Sequence, residues 1–173
     1  MWSWFTFYLI VHLLGVLIAF GPNFAFPIMG SLLAKHPQHA AYAVEVIDTV
    51  EKRLTVPLAV IVPLSGTGLI YTAHIDLWHS EWLIISIVMY TAAFFFAITV
   101  QVPTASRLLH LLQSMPAGPP PGAAGPPPVA GAGGPPPEVA AMTKKLRLGG
   151  MYLTISVVVI LVLMIWRPGN SIT

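Results

Sequence analysis

The chain has 173 residues, of which 56% are hydrophobic and only 8% charged, with a mean hydropathy of +0.80. A soluble domain carries roughly 25% charged residues, and fourteen charged side chains with a net charge of +2 cannot clothe this chain in water. Composition therefore argues against a soluble enzyme and, with eight Lys and Arg, against a nucleic-acid binder. The absence of cysteine removes disulfides, thiolate nucleophiles and Cys-based zinc sites.

A helix needs about 20 mainly apolar residues to cross the hydrocarbon layer, and four stretches qualify: 4–33, 54–73, 82–103 and 148–166. Their interiors hold no Asp, Glu, Lys or Arg. The first lacks the basic start and small-residue cleavage site of a signal peptide, so it reads as a retained span. Pro22 and Pro27 interrupt span one, and Pro57 and Pro63 interrupt span two. A proline inside a helix removes a backbone donor and bends the axis. The expected fold is all-α, a transmembrane four-helix bundle with kinked first and second spans.

Between spans one and two, residues 40–53 form an amphipathic stretch. Val44, Ile47 and Val50 face one way, while Glu45, Asp48, Glu51 and Lys52 face another. That pattern suits a helix on the inner membrane surface or a stalk continuing into span two, with the charged side solvated. Residues 116–137 comprise ten Pro, six Gly, five Ala and Val129. Such a segment has no side chains for a core and reads as a disordered, polyproline-rich cytoplasmic insert.

Lys and Arg in the connections set the orientation. Lys35, Lys52, Arg53, Arg107, Lys144, Lys145 and Arg147 fall on one side, leaving only Arg167 on the other. The basic side is read as cytoplasmic, with both termini outside. Trp2, Trp4, Trp78, Trp82 and Trp166 map to the outer interface, where an aromatic belt is expected.

Each span carries small or hydroxyl residues at helical spacing. Span one has His12, Gly15, Ala19 and Asn23; span two has Ser65, Gly68 and Thr72. Span three has Ser86, Tyr90, Ala93, Ala97, Gln101 and Thr104, and span four has Gly149, Tyr152 and Ser156. In lipid, such stripes let helices approach closely and hydrogen-bond.

His12 is the ionisable side chain set deepest in an apolar layer, about 12 Å below the outer belt at 1.5 Å per residue. An intramembrane imidazole is a candidate functional group. Counting equal depths puts Ser65 and Tyr90 at its level, giving a polar cluster of His12, Ser65 and Tyr90. That cluster reads either as satisfied bundle packing or as a cofactor site with His12 as an axial ligand of haem b or a metal ligand. No second histidine lies at matching depth on a facing span, so bis-histidine ligation is not supported. On the outer connection, His74, Asp76 and His79, with Glu81, could hold copper or zinc, or could simply form a polar hairpin.

Val11-His12-Leu-Leu-Gly15-Val-Leu-Ile-Ala-Phe-Gly21, followed by Pro63-Leu-Ser-Gly66-Thr-Gly68, carries a resemblance. The chain resembles the bacterial predicted integral membrane protein family called domain of unknown function twenty-two sixty-nine, over the four spans but not the Pro-rich insert. More distantly it is similar to copper-resistance D-like four-span proteins. The family resemblance implies a small bundle in the bacterial inner membrane and no established activity. The residues and the resemblance together lead to three expectations. The first is a non-enzymatic structural or accessory bundle in contact with lipid and with a membrane-complex partner or a second copy. The second is a haem- or metal-binding redox protein using His12. The third is a small oligomeric transporter.

Overall fold

A computed structural model describes residues 3–35, 39–115 and 136–168. Among them are six α-helices: α1 (Trp4–Lys35), α2 (Ala40–Val50), α3 (Val56–Thr72), α4 (Glu81–Phe96), α5 (Val102–Ser114) and α6 (Pro137–Trp166). Two π-helical turns, Glu51–Thr55 and Ala97–Gln101, join α2 to α3 and α4 to α5. No strand occurs among the described residues. Four continuous helical runs are long and apolar enough to cross a membrane: α1, α2 through α3, α4 through α5, and α6. The fold is an all-α, four-helix transmembrane architecture.

Small side chains fill much of the interior between the spans, with Val62, Trp82 and Leu83 as large exceptions. Ala19, Ala59, Ser65, Ser86, Ala93 and Ser156 are buried, whereas Leu13, Leu17, Leu64, Val88 and Ile165 point outward. Lipid solvates leucine as well as a protein interior does, so nothing drives large apolar side chains inward. Small residues are what permit backbone approach. The α1–α3 pair shows the result. A Cβ on Gly15 would lie 3.1 Å from Val62, one on Gly66 3.3 Å from His12, and one on Gly68 2.5 Å from the Tyr8 ring. The residues that carry the family resemblance are therefore the seam between the first two spans.

The second and third runs hold 33 and 34 residues, or about 50 Å at 1.5 Å per residue, against a hydrocarbon layer of about 30 Å. Their excess projects at the end that carries the basic residues. There Val44 of α2, Leu108 of α5 and Val139 of α6 form a small core, with Leu112 and Met142 packed against it. The amphipathic stretch thus continues straight into span two as a stalk. Its acidic face is not solvated throughout: Asp48 and Glu51 are both buried. The cause is that α2 packs on α5 rather than on water, with Asp48 taking hydrogen bonds from Ser106 at 2.8 Å and Lys52 at 2.7 Å.

Of the insert expected over residues 116–137, residues 116–135 lie outside those described. Pro136 and Pro137 cap and open α6, where a missing N–H costs nothing and the fixed φ favours the first turn. Pro22, Pro27 and Pro63 lie inside α1 and α3. At the other end of the bundle, the Arg167 guanidinium sits 5.4 Å from the Trp82 ring centroid. That contact brings the end of α6 beside the start of α4.

Candidate functional site

His12 faces α3. Its Nδ1 lies 3.0 Å from the Val62 carbonyl oxygen and 3.2 Å from Ser65 Oγ, which itself donates to the same carbonyl at 2.9 Å. A carbonyl only accepts, so Nδ1 carries the proton and the lone pair resides on Nε2. Ser65 and His12 therefore meet, as their depths imply.

Tyr90, counted to the same level, does not bond to His12 but reaches the Ala59 carbonyl on α3. This partner has a local cause. Pro63 has no N–H to give to the carbonyl four residues earlier, which is that of Ala59. An orphaned carbonyl in lipid costs free energy, and the phenol from α4 satisfies it. Phe20 stands edge-on to the Tyr90 ring at 6.2 Å, and Phe94 stacks at 6.4 Å.

The connection between α3 and α4 closes through Asp76. Its Oδ1 accepts the Trp78 amide at 3.0 Å, and its Oδ2 accepts Nδ1–H of His79 at 2.6 Å. The His79 hydrogen bond, ahead of the backbone contacts, lowers the Asp76 pKa from its ordinary value. His74 adopts a left-handed backbone, φ 53°. Among the described residues, no three His, Asp or Glu side chains gather in a metal-holding group.

A second polar cluster lies towards the stalk, and the sequence reading did not single it out. The two π-turns face each other across a cavity of about 60 Å³, whose walls include Glu51, Thr55, Gln101, Tyr90 and Asn23. Each π-turn precedes a Val-Pro pair, Val56-Pro57 or Val102-Pro103. A proline ring clashes with the carbonyl four residues back, and the wider π-turn relieves that clash at the cost of regular bonding. Four buried side-chain atoms among the described residues lack a hydrogen-bond partner: Glu51 Oε2, Thr55 Oγ1, Gln101 Oε1 and Trp82 Nε1. Three of these four belong to the π-turns and to residues lining the one cavity. Gln101 Nε2 donates to the Leu146 carbonyl of α6 at 2.9 Å, which fixes the amide orientation and leaves Oε1 as an acceptor. Gly149 makes room for it, since a Cβ there would collide with that oxygen.

The signal for this site was present as Thr55-Val-Pro57 and Gln101-Val-Pro103, two polar residues each one position before Val-Pro. Each triplet alone reads as a helix boundary. Only the packing of α2–α3 against α4–α5 reveals that they coincide.

Against protein families, residues 6–120 match the family described as "Predicted integral membrane protein (DUF2269)". The match takes in α1 to α5, the first three spans, and ends ahead of α6. No curated protein and no solved structure matches the chain. The first two spans and the seam between them lie within the match, and the chain belongs to this family of predicted integral membrane proteins.

Proposed function

We propose that the chain is a non-enzymatic accessory bundle of the bacterial inner membrane, working in contact with lipid and with a membrane partner or a second copy of itself. The observation that supports this reading is the engagement of His12: its Nδ1–H is spent on the Val62 carbonyl and its ring edge is seated against Gly66. An imidazole tied in this way serves as interhelical glue. The bundle is oriented with both termini outside the cytoplasm, on the strength of the basic connections.

The same hydrogen bond favours a second reading, a haem b or copper site. Metal-bound imidazoles commonly anchor one nitrogen on a backbone carbonyl and present the other to the metal, and His12 Nε2 is free for such a role. One experiment decides between them. Protein purified from native membranes should be colourless and free of stoichiometric copper, and His12→Ala should lower thermal stability alone. A Soret band or bound copper that disappears in His12→Ala overturns the accessory reading. For topology, the cysteine-free background allows single labelling sites. Trp78→Cys should react with an impermeant maleimide on intact cells and Ser114→Cys only after permeabilisation; the reverse pattern refutes the orientation.

A further inference from the structure

We propose that the cavity between the two π-turns is a proton-binding site, in which Glu51 holds the proton and water held against Thr55 and Gln101 delivers it. Glu51 and Gln101 are 9% and 6% exposed, each with an oxygen that no described group satisfies, and both line one cavity. Buried oxygens without partners cost free energy unless water or a proton completes them. A cavity of about 60 Å³ admits water, for which about one probe sphere of 10–15 Å³ suffices.

Among the described residues Glu51 makes no ion pair, and Lys52 acts on it only at a distance. Of its neighbours on the same helical run, Lys52 is held by Asp48 at 2.7 Å, and Asp48 is itself acidic. Across the cavity Tyr90 is neutral and bonded to Ala59. From α1 the walls receive Phe20 and Asn23, and from α6 Leu153, Val157 and Ile160, so neither contributes a titratable group. A carboxylate facing such walls is disfavoured over the acid. A hydronium in the cavity water gives its proton to Glu51 Oε2, forming the O–H bond and leaving water. Deprotonation runs the same exchange in reverse. Thr55 and Gln101 are positioning residues, holding that water by accepting its hydrogen bonds.

Proton access of this kind differs from the accessory role proposed above and does not depend on His12. The test uses the full chain in lipid nanodiscs with ¹³Cδ-labelled glutamate. Four glutamates report: Glu45, Glu51, Glu81 and Glu138. One resonance should titrate well above the ordinary glutamate value of about 4.3 and disappear in Glu51→Gln. In Thr55→Val/Gln101→Leu the same resonance should titrate higher still, because the acid loses the water that stabilises its anion. If all four glutamates of the wild-type chain titrate in the ordinary range, the proposal fails, without reliance on any variant folding. It fails equally if the raised resonance survives Glu51→Gln, or if it responds to exchange of sodium for potassium at fixed pH and not to pH.

Discussion

The bond from Tyr90 to Ala59 gives the sharpest quantitative test of how this bundle is held together. Tyr90→Phe keeps the ring, and with it the contacts to Phe20 and Phe94, but removes the one donor to a carbonyl that Pro63 has already orphaned. Interhelical hydrogen bonds in membranes average about 0.6 and reach about 1.7 kcal/mol. An unsatisfied buried acceptor adds about 1–3 kcal/mol in mutational series. Because the surrounding helix relaxes, a loss of about 1–2 kcal/mol is expected, roughly a 5–30-fold change in the folding equilibrium. Pro63→Ala restores an N–H four residues after Ala59, so the carbonyl regains an intrahelical partner. In that background Tyr90→Phe should cost only about 0.5 kcal/mol, giving a coupling energy near 1 kcal/mol in a double-mutant cycle. Unfolding by dodecyl sulfate in mixed micelles, followed by far-ultraviolet circular dichroism, measures all four corners. Equal costs of Tyr90→Phe in both backgrounds would falsify the assignment of the phenol to the proline-orphaned carbonyl.

Three further outcomes follow from other contacts. Gly68→Ala places a Cβ 2.5 Å from the Tyr8 ring, whereas the same change at Gly21 meets nothing within 4 Å; overpacking costs about 1–3 kcal/mol, so the first variant should unfold earlier by that difference in the same micelle titration, and identical curves would contradict the seam. Ser106→Ala, which strips a 2.8 Å hydrogen bond from buried Asp48, should cost about 1–2 kcal/mol, and Lys52→Ala, which leaves that buried carboxylate without its cation, should also destabilise; thermal melts unchanged in both variants would count against the buried stalk. In the loop between α3 and α4, Asp76 has its pKa lowered by His79, so this hydrogen bond stabilises the loop above the unfolded-state value of about 3.9 and is lost as pH falls through the lower folded value. The Trp78 amide, which donates to Asp76, should show that titration by NMR, and His79→Ala should move its midpoint upward.

Much of the architecture was legible because apolar length is a direct statement about solvent. Four long apolar stretches define the four helical runs, and glycines at 15, 66 and 68 mark where α1 and α3 come close. His12 and Ser65 could be paired by depth alone, since antiparallel helices of fixed rise meet at countable levels. Tyr90 could be counted to the same layer but not given a partner, because its acceptor exists only through a proline on another span. Glu51 was the least legible residue. In sequence it sits in a charged stretch that resembles a solvated face, and its burial depends on the α2–α5 contact and on a π-turn that no periodicity encodes.

The stalk core also bears on how this chain can vary. Leu108 and Met115 at one end of the connection between α5 and α6, and Val139 and Met142 at the other, meet in a single apolar cluster outside the spans. The ends of that connection are thus fastened together by residues that do not belong to it. Closing entropy grows only as the logarithm of loop length, about 0.6 kcal/mol for each doubling. Segments of very different length and composition can therefore be accommodated between residues 115 and 136 at small cost to the bundle. A fluorescent domain or affinity tag inserted there should leave the helix seams intact, making this connection the natural port for new sequence.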